Sequence, residues 1–192
     1  SFFNILDSDC LGLSSGALTR GWCQGGIPQA VGAGSGNGVG KLSAPTAITD
    51  DGTFIYVYDA GARAILRYRI DSTQASDSLM SASVYPGGFS GWIGVIGTTP
   101  TRCYVSGSAV NSPNASIVTG SVTPGWCNGG APNVSYMVYS GDATNLTNTA
   151  YTVSTAPLVY SGGYLYLGLA KAVYKFDATT GQFVGYIGRN GS

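Results

Sequence analysis

The sequence predicts an all-β fold, with two four-stranded propeller blades per chain that copies of the chain are expected to complete into a ring. Three observations lead there. The phrase "TRGWCQGGIPQ" at 19–29 returns as "TPGWCNGGAPN" at 123–133. After each copy comes a run of short β-branched and aromatic segments divided by turn residues. No apolar stripe of 3.6-residue period has useful length, so helices are expected to be few.

The repeat extends well beyond the shared phrase. Cys10 answers to Cys103, and Gly21-Trp22-Cys23 answers to Gly125-Trp126-Cys127. "SAPTAITDDGTFIYVY" (43–58) answers to "TAPLVYSGGYLYLGL" (155–169). "ARAILRYRID" (62–71) answers to "AKAVYKFDAT" (170–179), and "GGFSGWIG" (87–94) to "GQFVGYIG" (181–188). The spacing between counterparts drifts, which places insertions in loops between elements. The natural division is a first repeat over 1–102 and a second over 103–192, together one domain.

Within the first unit, "TAITD", "TFIYVYD", "AILRYRI" and "GFSGWIG" read as strands. Asp50-Asp51-Gly52 turns the chain between the first two, and Ala60-Gly61 breaks the second from the third. Ser161-Gly162-Gly163 marks the first turn of the second unit. Four antiparallel strands in about 50 residues make one propeller blade.

Composition removes several function classes. Charged residues are 9% of the chain and the net charge is zero, against roughly 25% charged in ordinary soluble domains. There is no basic block to neutralise phosphates, so nucleic acid is not an expected partner. No apolar run approaches the roughly 20 residues of a membrane span, so no insertion into a membrane is expected. His is absent altogether, which excludes a Ser-His-Asp triad and His-ligated zinc. The four cysteines form no C-x-x-C pair, so no metal or other cofactor is expected. The chain lacks an initiator Met and a signal peptide and reads as a mature fragment or a piece of something longer.

The strand pattern "P…I..D..G.YIYV.D…..I.RY…..G.F.GWIG" resembles the NHL-repeat β-propeller over 43–94 and 155–188. The Gly-rich connection with its GWC phrase resembles NHL-type repeats of secreted surface proteins from predatory bacteria. The resemblance implies a six-bladed ring on the bacterial surface, which chains of two blades complete as a homotrimer. The second unit departs from it: Gly168-Leu169 stands where the first unit has Tyr58-Asp59, so an aspartate usual after that strand is missing.

Sequence alone permits three disulfide connectivities for four cysteines. The repeat selects Cys10–Cys23 and Cys103–Cys127, one staple per unit, with four buried thiols as the alternative. Such bridges imply an oxidising, extracellular or bacterial cell-surface location. The GWC phrase is then first a joint, with Trp packed beside the bridge. A second reading gives Trp22 and Trp126 exposed rings that stack on sugar faces.

Two blades do not close a ring, because propellers have about 4 to 8. An isolated pair leaves apolar faces wet and edge strands unpaired. Copies of the chain are therefore the expected partner, with blades from a longer parent chain as the rival. Phe2, Phe3, Ile5 and Leu6 are too apolar for a free tail and are expected to cross to another subunit.

Three function classes follow. The first is a non-enzymatic recognition or adhesion domain at a fibre tip, binding a glycan or another surface molecule of a target cell. Its candidate contacts are Trp22, Tyr58, Asp59 and Arg63 in the first unit and Trp126, Tyr136, Tyr139 and Lys171 in the second. For each tyrosine ordinary strand packing competes, and for Arg63 and Lys171 a solvated surface charge. The second class is a propeller hydrolase or lyase; every acidic residue is Asp, and no pair stands out as catalytic. The third is a protein-docking ring without a small ligand. The sequons at Asn114, Asn133 and Asn145 are too easily produced by chance in so Asn-, Ser- and Thr-rich a chain.

Overall fold

A computed structural model describes residues 40, 42–70, 76–77, 82–83, 88–105, 107–112, 114–115, 117–133, 156–169 and 172–188. All regular structure in them is β, in several antiparallel sheets, none of which closes on itself. The first unit supplies β1 (Pro45–Asp50), β2 (Phe54–Asp59), β3 (Ala64–Arg69), the short hairpin β4 (Ser76–Asp77) and β5 (Ala82–Ser83), and β6 (Phe89–Ile93). Then come β7 (Ile96–Thr98), β8 (Arg102–Val105), β9 (Ser108–Asn111), β10 (Cys127–Asn128) and β11 (Ala131–Pro132). The second unit supplies β12 (Leu158–Ser161), β13 (Tyr164–Leu169), β14 (Ala172–Asp177) and β15 (Phe183–Gly188).

Turn chemistry fixes the register of each unit. Asp51 Oδ1 accepts the N–H of Thr53 at 2.8 Å and of Phe54 at 2.7 Å, while Asp50 Oδ1 accepts that of Gly52 at 3.0 Å. These are Asx bonds, which reverse the chain locally. In the second unit Ser161 pairs directly with Tyr164. The two residues between, Gly162 and Gly163, sit at φ 57° and 85°, as a two-residue hairpin requires to match strand twist.

The first unit's strands stand in the order β1-β2-β3-β6, and β12-β13-β14-β15 form the second sheet. The eight strands read from the sequence are thus present. The connection differs from expectation. Its GWC phrase is not a loop on the way to the second sheet. β10 pairs with β6 on one side and β8 on the other, so the first sheet runs on through β10-β8-β9 to seven strands. The 102/103 division between repeats passes through β8.

Cys103 and Cys127 are direct partners across β8 and β10 and are joined by a disulfide, with Cα atoms 4.0 Å apart. Backbone hydrogen bonds flank them, from Tyr104 N–H to Trp126 O and from Thr101 N–H to Asn128 O. The cysteines therefore occupy a pair that lies between ladder bonds, where opposed side chains come closest. The predicted Cys10–Cys23 bridge lies outside the described residues.

Each sheet has two faces. The front of the first carries Phe54, Tyr56 and Tyr58 with their partners Arg69, Arg67 and Ile65. It packs on Leu158, Leu165, Leu167 and Phe176 of the second sheet, forming the larger core. The back of the first sheet aligns Leu66, Trp92, Cys127 and Cys103 in one row. Ile96 and Ile117 cover that row and form the second core. Full burial of one such aliphatic side chain contributes about 1.5–3 kcal/mol. The inner strands β1 and β12 meet across the seam, where Tyr160 N–H donates to Thr49 Oγ1 at 3.1 Å.

Candidate functional site: the inter-sheet seam and the open sheet face

The seam is built around Trp126. Its indole is fully buried, stacked on Tyr56 at 5.8 Å between ring centroids. Its Nε1–H donates to Ala178 O at 3.0 Å and its backbone N–H to Thr180 O at 3.0 Å. The GWC phrase thus ties the first sheet to the β14–β15 turn of the second. A Cβ on Gly181, at φ 74°, would stand 2.6 Å from Trp126 N, so the turn must be glycine there.

Arg67 lies beside it, also fully buried. Its guanidinium donates to Ser90 O and Oγ at 3.2 and 3.0 Å and to Thr179 O at 3.3 Å. The same group sits 4.5 Å from the Phe54 ring centroid and 4.6 Å from that of Trp126. Carbonyl oxygens and ring faces take up the charge, as cation–π geometry allows.

Three of the candidate contacts, Tyr58 and Asp59 of the first unit and Trp126 of the second, prove to be interior groups. Trp126 and Asp59 have no exposure, and Tyr58 has 2%. Trp126 therefore has no open ring face for a sugar; the joint reading describes it. Asp59 accepts backbone N–H groups of Ser43, Ala44 and Ala62 and so clamps the chain before β1 onto the β2–β3 turn. Leu169 takes the equivalent place in the second unit, which explains why that unit dispenses with the aspartate. Arg63 is half-buried in the turn at φ 53°. Trp22, Tyr136, Tyr139 and Lys171 lie outside the described residues.

Burial shapes the tyrosine chemistry of this region. Desolvation pushes the Tyr58 phenol up to about 12; the Arg63 charge opposes the rise and that of Asp59 adds to it. Tyr56 is pushed up by burial and by donating its O–H to Asp51 Oδ2 at 2.6 Å. Both phenols are neutral donors across the physiological range.

A second group of residues, which the sequence reading did not single out, forms the open face of the second sheet. Lys175 Nζ lies 3.6 Å from the Tyr164 ring centroid and 5.8 Å from that of Tyr166. Ile187 is 73% exposed and Val159 53%. The alternation "YLYLGL" carried the signal: Leu165, Leu167 and Leu169 are buried, which puts Tyr164 and Tyr166 on the other side.

Strand registers match this face to the seam. Tyr56 pairs with Arg67, and Tyr166 with Lys175; Tyr58 pairs with Ile65, and Gly168 with Val173. Ile65 pairs with Ile93, and Val173 with Ile187. The open face of the second sheet therefore corresponds to the front of the first, which is covered. The covered face of the second corresponds to the back of the first: Phe176–Phe183 form an edge-on pair at 5.7 Å, and Tyr68–Phe89 form the same pair at 5.6 Å. The two sheets stack front to back.

The groups on the open face include rings, methyls, the Lys175 ammonium and the Asp177 carboxylate opposite Tyr164. Among the described residues no three His, Cys, Asp or Glu come together to hold a metal, and no helix is long and apolar enough to cross a membrane. Fold and site together define an all-β chain of two repeated sheets stacked front to back. The chain matches no protein-family model, no curated protein and no solved structure.

Proposed function

We propose that this chain is a non-enzymatic recognition module of β-propeller type, the tip of a trimeric surface fibre that holds a glycan or another cell-surface molecule of a target cell. The observation that carries the reading is the front-to-back stacking of two equivalent four-stranded units. A sandwich formed around a two-fold axis would bring like faces together. Stacking of unlike faces adds the next unit in the same sense, and a ring results where the rotation per unit divides a full turn, as in a propeller. Three chains of two units give six blades, as in the NHL-type propellers that the sequence resembles.

The binding role is supported by low charge and by abundant Tyr, Ser, Thr, Asn and Gly. Repetition multiplies weak sites, and weak sites gain strongly by acting together. The Cys103–Cys127 bridge favours a secreted protein in an oxidising setting. A protein-docking ring without a small ligand is the second reading, favoured by the burial of Tyr58, Asp59 and Trp126. Glycan arrays run beside whole-cell binding separate the two. Array signals expected of an adhesin support the first, and array silence with retained cell binding supports the second. Silence in both would refute recognition of either kind.

A further inference from the structure

We infer that the open face of the second sheet is the docking site for the back of the first sheet of another copy of this chain. The contact repeats, between molecules, the seam already present within each one. This rests on the propeller reading above and specifies which surfaces meet.

Both halves of the joint are visible. The open face presents Val159 and Ile187, 53% and 73% exposed. Their counterparts by strand register are Thr49 and Ile93, both at the internal seam, with Ile93 only 1% exposed. Ile96 and Ile117 cover the back of the first sheet along Leu66, Trp92, Cys127 and Cys103; the part of that face they leave open presents Ile48 and Ile70, 65% and 39% exposed. Ile48 pairs with Val57 as Leu158 pairs with Leu167, so Ile48 stands where Leu158 does. Ile70 follows Arg69 as Ala178 follows Asp177, at the end of the matching strands. Leu158 and Ala178 are 5% and 3% exposed inside the seam. Apolar residues left in water on either side thus occupy positions that the internal seam buries.

The cations follow the same rule. Arg67 is capped by Phe54 from its own sheet and by Trp126 from the connection that leads to the next unit. Lys175, its counterpart, lies over Tyr164 of its own sheet. Because the two surfaces differ, the contact is head to tail, and with the rotation of a six-bladed propeller it closes after three chains.

The internal contact between Thr49 and Tyr160 supplies the test. Tyr160 pairs with Leu165 as Asp50 pairs with Ile55. The intermolecular equivalent therefore joins Val159 of one copy to Asp50 of the next. Chains carrying Val159→Cys are mixed with chains carrying Asp50→Cys and oxidised. A covalent dimer is expected from the mixture and from neither preparation alone. The double variant is expected to give a ladder that stops at the ring number. In parallel Ile187→Asp, a change at a residue exposed in the single chain, is expected to weaken assembly at least tenfold with an unchanged near-ultraviolet spectrum. A bridge formed within single chains of the double variant, or no bridge at all, overturns the inference. So does an Ile187→Asp protein that assembles like the parent. An oligomer with those results leaves the recognition reading to its own arrays. A specific bridge with silent arrays and silent cells does the reverse.

Discussion

Trp126 decides between two roles for the repeated phrase. Its ring is enclosed by Tyr56, Arg67 and the Ala178 carbonyl. Trp126→Ala is expected to lower unfolding stability by about 3–5 kcal/mol, since it opens a cavity and strands a buried carbonyl. Denaturant titration checks this; a variant as stable as the parent but deficient in sugar binding would restore the ligand role. The buried phenols set a pH limit. The Tyr58 phenol stands at about 12 in the folded chain against 10.0 ordinarily, and Tyr56 and Tyr68 are raised as well. An acid whose folded value is raised contributes stability below its unfolded value, and the contribution is lost as pH climbs toward the folded one. Urea midpoints are thus expected to be unaffected by these phenols from pH 7 to 9 and to fall between pH 10 and 12. A midpoint that rises across that interval would contradict the assignment. At this scale the sequence was legible for type and poorly legible for burial. Asp59 and Tyr58 look like surface polar groups in one dimension. The return of residues 43–44 onto the β2–β3 turn encloses Asp59, and the packing of the second sheet encloses Tyr58; neither is visible along the chain.

At the scale of elements the repeat was a good guide to the strands. The β-branched and aromatic content of "TFIYVYD", the alternation of "YLYLGL" and the Asx or glycine turns act within a few residues, so both disclose their strands locally. The connection was misjudged because β10 has two residues and is a strand only by virtue of its neighbours β6 and β8. No window of sequence carries that information. The pairing of Cys103 with Cys127 was legible from the repeat, but its place across two adjacent strands was not. The bridge spans 24 residues. Replacing both cysteines by Ala is expected to cost about 3 kcal/mol by the chain-entropy relation. Thermal and denaturant melts of the double variant measure it, and a loss below about 1 kcal/mol would mean the sheet ladder alone holds β8 against β10.

For the whole molecule, the front-to-back stacking is the feature on which the proposed assembly rests. It was visible in outline as a repeat, yet its sense depends on which face of each sheet is covered. Counterparts such as Ile93 and Ile187 have the same residue type and opposite exposure, 1% against 73%. The proposed assembly accounts for this: identical residue types differ in environment because one of the two equivalent faces awaits a second copy. Light scattering on the wild-type chain across a concentration series tests this most directly. The account predicts a discrete mass near three times the 19.6 kDa chain. A single-chain mass that persists at the highest concentration would contradict it.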